Sequence, residues 1–359
     1  MSQVESSASI PIIIAGMHRS GTSLTASILQ QAGVFIGEQL LKANTGNRKG
    51  HFEDEAFLSL HKDILVSCGI SYDGWTARGQ VDVPQQFWER AQELCDRRLA
   101  AHTIWGWKEP RTTLFLDFWQ QQLPQAKFVL PYRSPWEVVD SLFTRGDPVF
   151  EHNPKFAAEV WTAYNQIILA FCQAYPDNCF LFLCDCLKVY ERNFVDRLRR
   201  KLGLSLPLPE TPLFQPGEMH GQVNSTHRPP LLAKYFPETL AVYEQLENVA
   251  DIPGTTPAAS QMLTEAPAYR DWALQDWLTS NRLQAGIKTA QAQLASTTDD
   301  LQSAQAEIHH LQVALDQANS EIKHWRLTID AMEANRFWQM RNAWVRLKET
   351  IRGGKQESP

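Results

Sequence analysis

Apolar and polar positions divide the chain into three parts with different rhythms. From residue 9 to about 250, short apolar runs alternate with stretches whose apolar residues recur at helical spacing. The runs IPIIIAG, KFVLPYR and CFLFLCD read as buried strands. The segments SLTASILQQAG, PWEVVDSLFTR, KFAAEVWTAYNQIILAFCQAY and NFVDRLRRKLGL read as helices. Such alternation predicts an α/β fold, a parallel sheet with helices on both faces. Each apolar run gives way to polar and charged residues at its end, and ligands of open α/β sheets bind at the carboxyl ends of the strands.

Between 251 and 282 the rhythm breaks. DIPGTTPAASQMLTEAPAYRDW is rich in Pro, Thr and Ala and reads as a linker. A heptad then takes over. Ile287, Leu294, Leu301, Ile308, Leu315, Ile322 and Ile329 recur every seven residues. Ala290, Thr297, Ala304, Leu311, Ala318, Trp325 and Met332 supply the companion positions. One apolar register held this long predicts a coiled coil over 283–333, a rod on the order of 70 Å long, and through it a homo-oligomer. The other reading is a single long helix packed back on the N-terminal part. Over 336–353 the register shifts. Phe337, Met340, Trp344, Leu347 and Ile351 share one helical face, and Arg336, Arg341, Arg346, Lys348 and Arg352 fall largely on the others. A basic amphipathic helix of this kind predicts contact with a membrane surface or with a protein partner.

Composition changes this picture in three places. With 359 residues and a net charge of −6, the whole molecule is no electrostatic match for nucleic acid, so any basic function is local. Six cysteines lack metal-ligand spacing, and Cys184 and Cys186 fall in what reads as a buried strand, which suits reduced core thiols and a cytoplasmic location. MSQVESSAS lacks the character of a leader, and Ile12 to Ala15 is too short to cross a bilayer. A cytoplasmic protein, peripheral to the inner membrane face through its last helix, is the expectation.

The stretch IIIAGMHRSGTSL, residues 12–24, concentrates the chemistry. A strand, a glycine-bounded turn from Gly16 to Gly21 and a following helix gather backbone N–H groups around one point, where the helix dipole adds positive potential. Such a nest holds a phosphate-sized anion. His18 and Ser20 belong to the turn, Thr22 and Ser23 can add hydroxyl donors, and Arg19 adds a permanent charge where a leaving oxygen would sit. Magnesium-dependent nucleotide hydrolysis relies on a lysine that this loop lacks, Thr22 standing in its place. Metal-free transfer from an activated donor fits better.

GMHRSGTSL resembles the 5′-phosphosulfate loop of the sulfotransferase family, whose donor is 3′-phosphoadenosine 5′-phosphosulfate. FVLPYRSPWEVVDSLFTR resembles the family's strand, arginine and serine eight residues later, which bind the donor's 3′-phosphate; they correspond to Arg133 and Ser141, with Arg145 one turn further as an assistant. WGWKEPRTTLFLDFW resembles the Lys-acidic-Pro element of the bacterial and tyrosylprotein branches, which makes Lys108 the contact to the sulfuryl group, with Glu109 and Arg111 beside it. NRKGHFEDEAFLSLHKDIL is similar to a stretch of bacterial members, with His51 where an aromatic residue often stands. CFLFLCDCLKVYERNFVDRLRRKLGL is similar to the late strand and helix that close the fold. The resemblance spans residues 9–250 and implies a P-loop-type sheet followed by the long coiled-coil helix.

Sulfuryl transfer needs in-line positioning and stabilisation of the leaving phosphate oxygen, tasks for Arg19, the loop N–H groups and Lys108. A base must take the acceptor's proton. Glu53 is the first candidate, Glu38 the second and His51 the third. Trp75, Trp105, Trp107 and Trp119 either fill the core or stack on sugar rings. The expected acceptor is a hydroxyl compound, carbohydrate above others. Two other readings stand beside this one: a P-loop kinase with an unusual loop, and an inactive scaffold on a coiled-coil stalk.

Overall fold

Four parallel strands organise the N-terminal part of the chain. β1 (Ile10–Ile14), β2 (Ile104–Lys108), β3 (Lys127–Tyr132) and β4 (Cys179–Leu183) lie in the order β2-β1-β3-β4. The structure is a computed structural model and describes residues 9–41, 52–188, 191–208, 228–254 and 269–353. Between the first strands run α1 (Thr22–Gln31), α2 (Glu55–Ser67) and α3 (Trp88–Ala101). After β2 come α4 (Leu116–Gln122), then β3, α5 (Pro135–Arg145), α6 (Pro148–His152) and α7 (Lys155–Ala174). Beyond β4 lie α8 (Glu191–Leu202), α9 (Arg228–Tyr235) and α10 (Pro237–Val249).

Side chains that alternate along each strand feed two separate cores, which is why the strands read as continuous apolar runs. Ile12, Ile14, Val129, Phe180 and Phe182 point to one face, where α1 and α8 supply Ile28, Leu29, Phe194 and Leu198. Ile13, Phe128, Leu130, Tyr132 and Leu181 point to the other, which takes Phe57 of α2, Leu94 of α3, Trp119 of α4 and Trp161 of α7. Trp105, Trp107 and Trp119 are fully buried in that second core, so these three pack the interior and offer no platform to a sugar.

Two prolines sit inside strands, where their missing N–H would ordinarily cost a ladder bond. Pro11 precedes Ile12, the first β1 residue to pair with β3. Pro131 lies beyond Val129, the last β3 residue to pair with β1. Each therefore falls where one neighbour is absent. β4 stops at Leu183, and Cys184–Lys188 form a 3₁₀ turn, so Cys184 and Cys186 lie just past the strand expected to hold them. Cys184 is buried and Cys186 half-buried, and neither is in a disulfide.

The chain divides after Tyr269 into two compact units. In the second, α11 (Tyr269–Ala334) is one helix of 66 residues, about 100 Å at 1.5 Å per residue. It begins inside the stretch expected to be linker. After Pro267 the sequence AYRDWALQDWL holds no proline or glycine and is rich in good helix formers, so helix propagates upstream of the heptad. The linker's residues 255–268 lie outside the described residues. Ile287, Leu294, Leu301, Ile308, Leu315, Ile322 and Ile329 are 51–68 % exposed along α11. The helix stops at Asn335, which caps α12 (Arg336–Gly353) by accepting a hydrogen bond on Oδ1 from the Phe337 N–H at 3.0 Å. Among the described residues no helix is long and apolar enough to cross a membrane.

Candidate active site

All four strands run the same way, so their carboxyl ends share one edge. From that edge hang the 16–21 turn after β1, Lys108 at the end of β2, Arg133 after β3 and Cys184 after β4. The chain leaves β1 towards β2 but leaves β3 towards β4. Such a reversal opens a crevice between β1 and β3, and the turn lies there. Gly16 is required by the close approach of β3, because a Cβ would lie 2.7 Å from the Pro131 carbonyl oxygen. Gly21 is required twice over. Its φ is +86°, and a Cβ would meet Cys184 Sγ at 1.9 Å. Arg19 holds a left-handed φ of 69° without being glycine. That conformation costs about 1–3 kcal/mol and persists where the surroundings enforce it.

The α1 amino terminus begins at Gly21 with no side-chain cap and no acidic residue in its first turn. Its N–H groups and dipole are thus open to an anion. Ser20 Oγ and His18 Nε2 are shut off from solvent and lack a hydrogen-bond partner, while Thr22 is buried at the first turn. Polar atoms in that condition are costly unless a ligand completes them. Ser23 occupies the next helical position.

Cations gather on the β3 side. Arg19 donates from Nε to Ser141 Oγ at 2.7 Å. Burial lowers the Arg19 pKa below the usual arginine value, and the positive charges of Arg145 and Arg133 push the same way. Three guanidinium groups therefore act on one place. Burial opposes the charge of Arg133, but Glu137 outweighs it, accepting from Nε at 3.2 Å, and the pKa rises. Glu137 also accepts from Ser134 Oγ at 2.7 Å, and Trp161 donates to the Arg133 carbonyl at 3.1 Å, so backbone and side chain are both fixed. Arg145 pairs with Asp147 at 2.5 Å and stacks over Trp75 at 5.1 Å. Trp75 in turn lies 4.6 Å from the half-buried His18 ring, with Tyr164 beyond it at 6.5 Å. Burial, then Arg111, drive the His18 pKa well below the histidine range, which keeps the imidazole neutral.

On the β2 side the charges are already matched. Lys108 Nζ donates to Glu53 Oε1 at 2.8 Å, both residues being buried. Burial lowers the Lys108 pKa, against the pull of Glu53. Glu109, fully buried, accepts from Arg111 Nη1 at 2.5 Å and bonds His61 Nδ1 at 2.8 Å. Trp119 Nε1 donates to His61 Nε2 at 3.0 Å, so the proton of the neutral ring resides on Nδ1, facing Glu109. Burial pushes the Glu109 pKa up, but Arg111 and His61 together pull it well below the carboxylate range. Arg111 Nε also donates to the Tyr72 carbonyl at 2.8 Å.

Glu38, the second candidate base, is held elsewhere. Its carboxylate pairs with Arg98, which also donates to Asp54 Oδ2 at 2.8 Å, while Glu53 is the carboxylate brought onto Lys108. His51 lies outside the described residues. Tyr164, His61 and the keystone role of Glu109 were not singled out from sequence. His61 carried a faint signal, since it continues the apolar face of Phe57 and Ile64 in α2. Trp75, expected either to fill the core or to stack on a sugar, lies between His18 and Arg145.

Fold and site together define an α/β anion-binding protein of the phosphate-loop type. The profile described as the Sulfotransferase family matches residues 11–184, the stretch containing the turn, Lys108, Arg133 and Ser141. That stretch is similar to the sulfotransferase family, and the match supports sulfotransfer in general. Two solved structures are similar to the chain. The sulfotransferase domain from the Synechococcus PCC 7002 olefin synthase is 16 % identical, with 72 % of this chain and 89 % of that one covered and a TM-score of 0.36. Sulfotransferase STF1 from Mycobacterium tuberculosis is 14 % identical, with 55 % and 68 % covered and a TM-score of 0.33. No curated protein matches the chain.

Proposed function

We propose that the N-terminal unit transfers a sulfuryl group from 3′-phosphoadenosine 5′-phosphosulfate to a hydroxyl acceptor. The observation that carries this reading is the Arg19–Ser141 contact of 2.7 Å. It joins the anion-binding turn to the helix that follows Arg133, so groups suited to two phosphates of one nucleotide stand within a side chain's reach. The turn fits a 5′-phosphate: glycines where a Cβ cannot be tolerated, a buried Ser20 hydroxyl without a partner, and an uncapped helix terminus. Arg133 and Ser141, with Arg145 nearby, fit the 3′-phosphate.

The roles of the residues follow from charge and geometry. Glu53, fixed through one oxygen by Lys108, accepts the acceptor's hydroxyl proton as the new O–S bond forms. Lys108 holds the sulfuryl oxygens. As the S–O bond to the 5′-phosphate breaks, its electron pair stays on the phosphate oxygen, where Arg19 and the loop N–H groups stabilise the charge. Neutral His18 gives the loop a wall that adds no further positive charge. Carbohydrate alcohols are the acceptor class to test first, on the strength of the hydroxyl chemistry alone, because the buried tryptophans lend them no stacking surface. Six cysteines outside any disulfide support a reducing, cytoplasmic setting.

Calorimetric titration with 3′-phosphoadenosine 5′-phosphate tests the reading. Micromolar binding is expected, weakened about 10- to 100-fold by Arg133→Ala, the loss of a charged hydrogen bond. Glu53→Gln should keep that binding while losing sulfate transfer. No binding by the unaltered protein, or turnover of a nucleoside triphosphate with magnesium, would overturn it.

The same proposal pairs two or more copies through α11. Its support is the run of exposed heptad residues, an apolar seam that a like seam covers. Sedimentation equilibrium should give an oligomer, reduced to monomer by Leu301→Asp with Ile308→Asp. A monomeric parent protein would refute the pairing.

A further inference from the structure

The second unit carries two apolar stripes, and they cannot serve the same purpose. Continued past Met332, the heptad seam would fall on Arg336, Gln339, Ala343, Arg346 and Thr350. None of these is a large apolar residue. Five exposed apolar residues of α12, Phe337, Met340, Trp344, Leu347 and Ile351, share one face, and Val345, 37 % exposed, lies off it. At 100° per residue the five occupy an arc of about 80°, centred about 100° from the continued seam positions. The Asn335 cap separates the two helices and starts α12 as an element in its own right. Whatever covers the α11 seam therefore leaves the α12 stripe uncovered.

Charge separates them again. Residues 287–334 hold seven acidic and three basic residues. Residues 336–353 hold five basic residues and one glutamate, in a chain whose net charge is −6. A second copy of α12 laid against the first would set these cations against one another. Arg341 and Lys348 border the apolar arc on one side. Each also sits over an indole, Arg341 on Trp338 at 4.7 Å and Lys348 on Trp344 at 4.5 Å. The five residues of the apolar arc are 58–75 % exposed. Aromatic side chains beside cations, at the rim of a narrow apolar face, match the layered chemistry of a lipid interface: acyl chains below, anionic headgroups at the rim.

We propose that α12 is a docking helix for an anionic lipid bilayer, lying in the plane of the interface with Phe337, Met340, Trp344, Leu347 and Ile351 in the acyl boundary and Arg341 and Lys348 at headgroup phosphates. The helix is too short and too charged to span the bilayer, so the contact is peripheral and salt-sensitive.

The test is flotation of the full chain with vesicles of phosphatidylcholine alone and of phosphatidylcholine mixed with phosphatidylglycerol. Flotation with the mixed vesicles, weakened by added salt, is expected. Replacing Arg341 and Lys348 by Gln should lower the partition coefficient on the order of 25-fold, about fivefold per cation. Trp344→Ser with Leu347→Ser should abolish flotation, and circular dichroism must show that both variants keep the helical content of the parent. Equal flotation with neutral and anionic vesicles, or none with either, would overturn the proposal. So would dissociation of a lipid-free oligomer by the double-serine variant, which would assign the stripe to a second copy. Salt-sensitive binding of duplex DNA without vesicle binding would assign the cations to nucleic acid and equally overturn it.

Discussion

The two sides of the active-site edge handle charge in opposite ways. On the β2 side Lys108 has the carboxylate of Glu53 and Arg111 that of Glu109, which also accepts from the neutral His61 ring. On the β3 side Arg133 pairs with Glu137 and Arg145 with Asp147, and Arg19 donates to a serine hydroxyl. Arg111, Glu109 and His61 form a closed set that stabilises the fold, while Lys108 and Glu53 stand beside it as the pair proposed to act on the transferring group and the acceptor. On the β3 side Arg19 faces an anion-shaped turn with the charges of Arg145 and Arg133 acting on it. A charge cluster is thus no single kind of evidence; its partners decide what it does.

Breaking the Arg111–Glu109–His61 set should have the largest effect, and it should fall on stability. Glu109→Gln leaves Arg111 and the His61 N–H facing a neutral amide in the core, and unfolding free energy should drop by about 3–5 kcal/mol, read by chemical denaturation. The pH dependence follows from the direction of the shift. Folding holds Glu109 below its ordinary value of 4.5, so the unfolded chain binds the extra proton. Its contribution is complete above the ordinary carboxylate range and is lost as pH falls through that range towards the native value. The Gln variant should lack this acid-side slope; an unchanged slope would show that Glu109 is not the group responsible.

Breaking the β3 side should act on chemistry instead. Arg19→Ala should cut kcat/KM about 10²- to 10³-fold, the usual cost of a lost oxyanion-type donor. Its melting temperature should equal or exceed that of the unaltered protein, because a cation crowded by two others has gone. A fall in both activity and stability would place Arg19 in the scaffold. The smallest effect belongs to Glu38→Gln. Its carboxylate is 61 % exposed and pairs with Arg98 rather than Lys108, so sulfate transfer should stay within about twofold and stability within about 1 kcal/mol. A loss of activity comparable to that of Glu53→Gln would move the base to Glu38.

The same contrast explains what could be read from the amino acids alone. The turn, Arg133 and Ser141 lie in short continuous patterns, a strand followed by glycines and a helix, and local geometry dictates where their side chains go. The matched side is assembled from afar. Glu53 and Lys108 are 55 positions apart, and His61 and Glu109 are 48 apart. Only the packing of α2 against β2 makes them neighbours. From sequence Glu109 was one charge in a charged tripeptide, and nothing local said that it would be fully buried. The parallel sheet was legible because both faces of each strand are apolar. The start of α11 was not, because proline and threonine density upstream masked a helical stretch that begins at Tyr269. The heptad itself was plain, since periodicity over many turns outlasts any single ambiguous residue.

The anion-binding turn, Lys108 and Arg133 grow from the termini of parallel strands, and the long connections between those termini bring up the remaining groups. Such a layout separates grip from taste. Strands keep the anchoring atoms in fixed register, while the excursions that leave them can lengthen, shorten or exchange residues with little disturbance below. Divergence of acceptor preference among descendants of this chain should therefore concentrate in those excursions, with the strand tips unaltered.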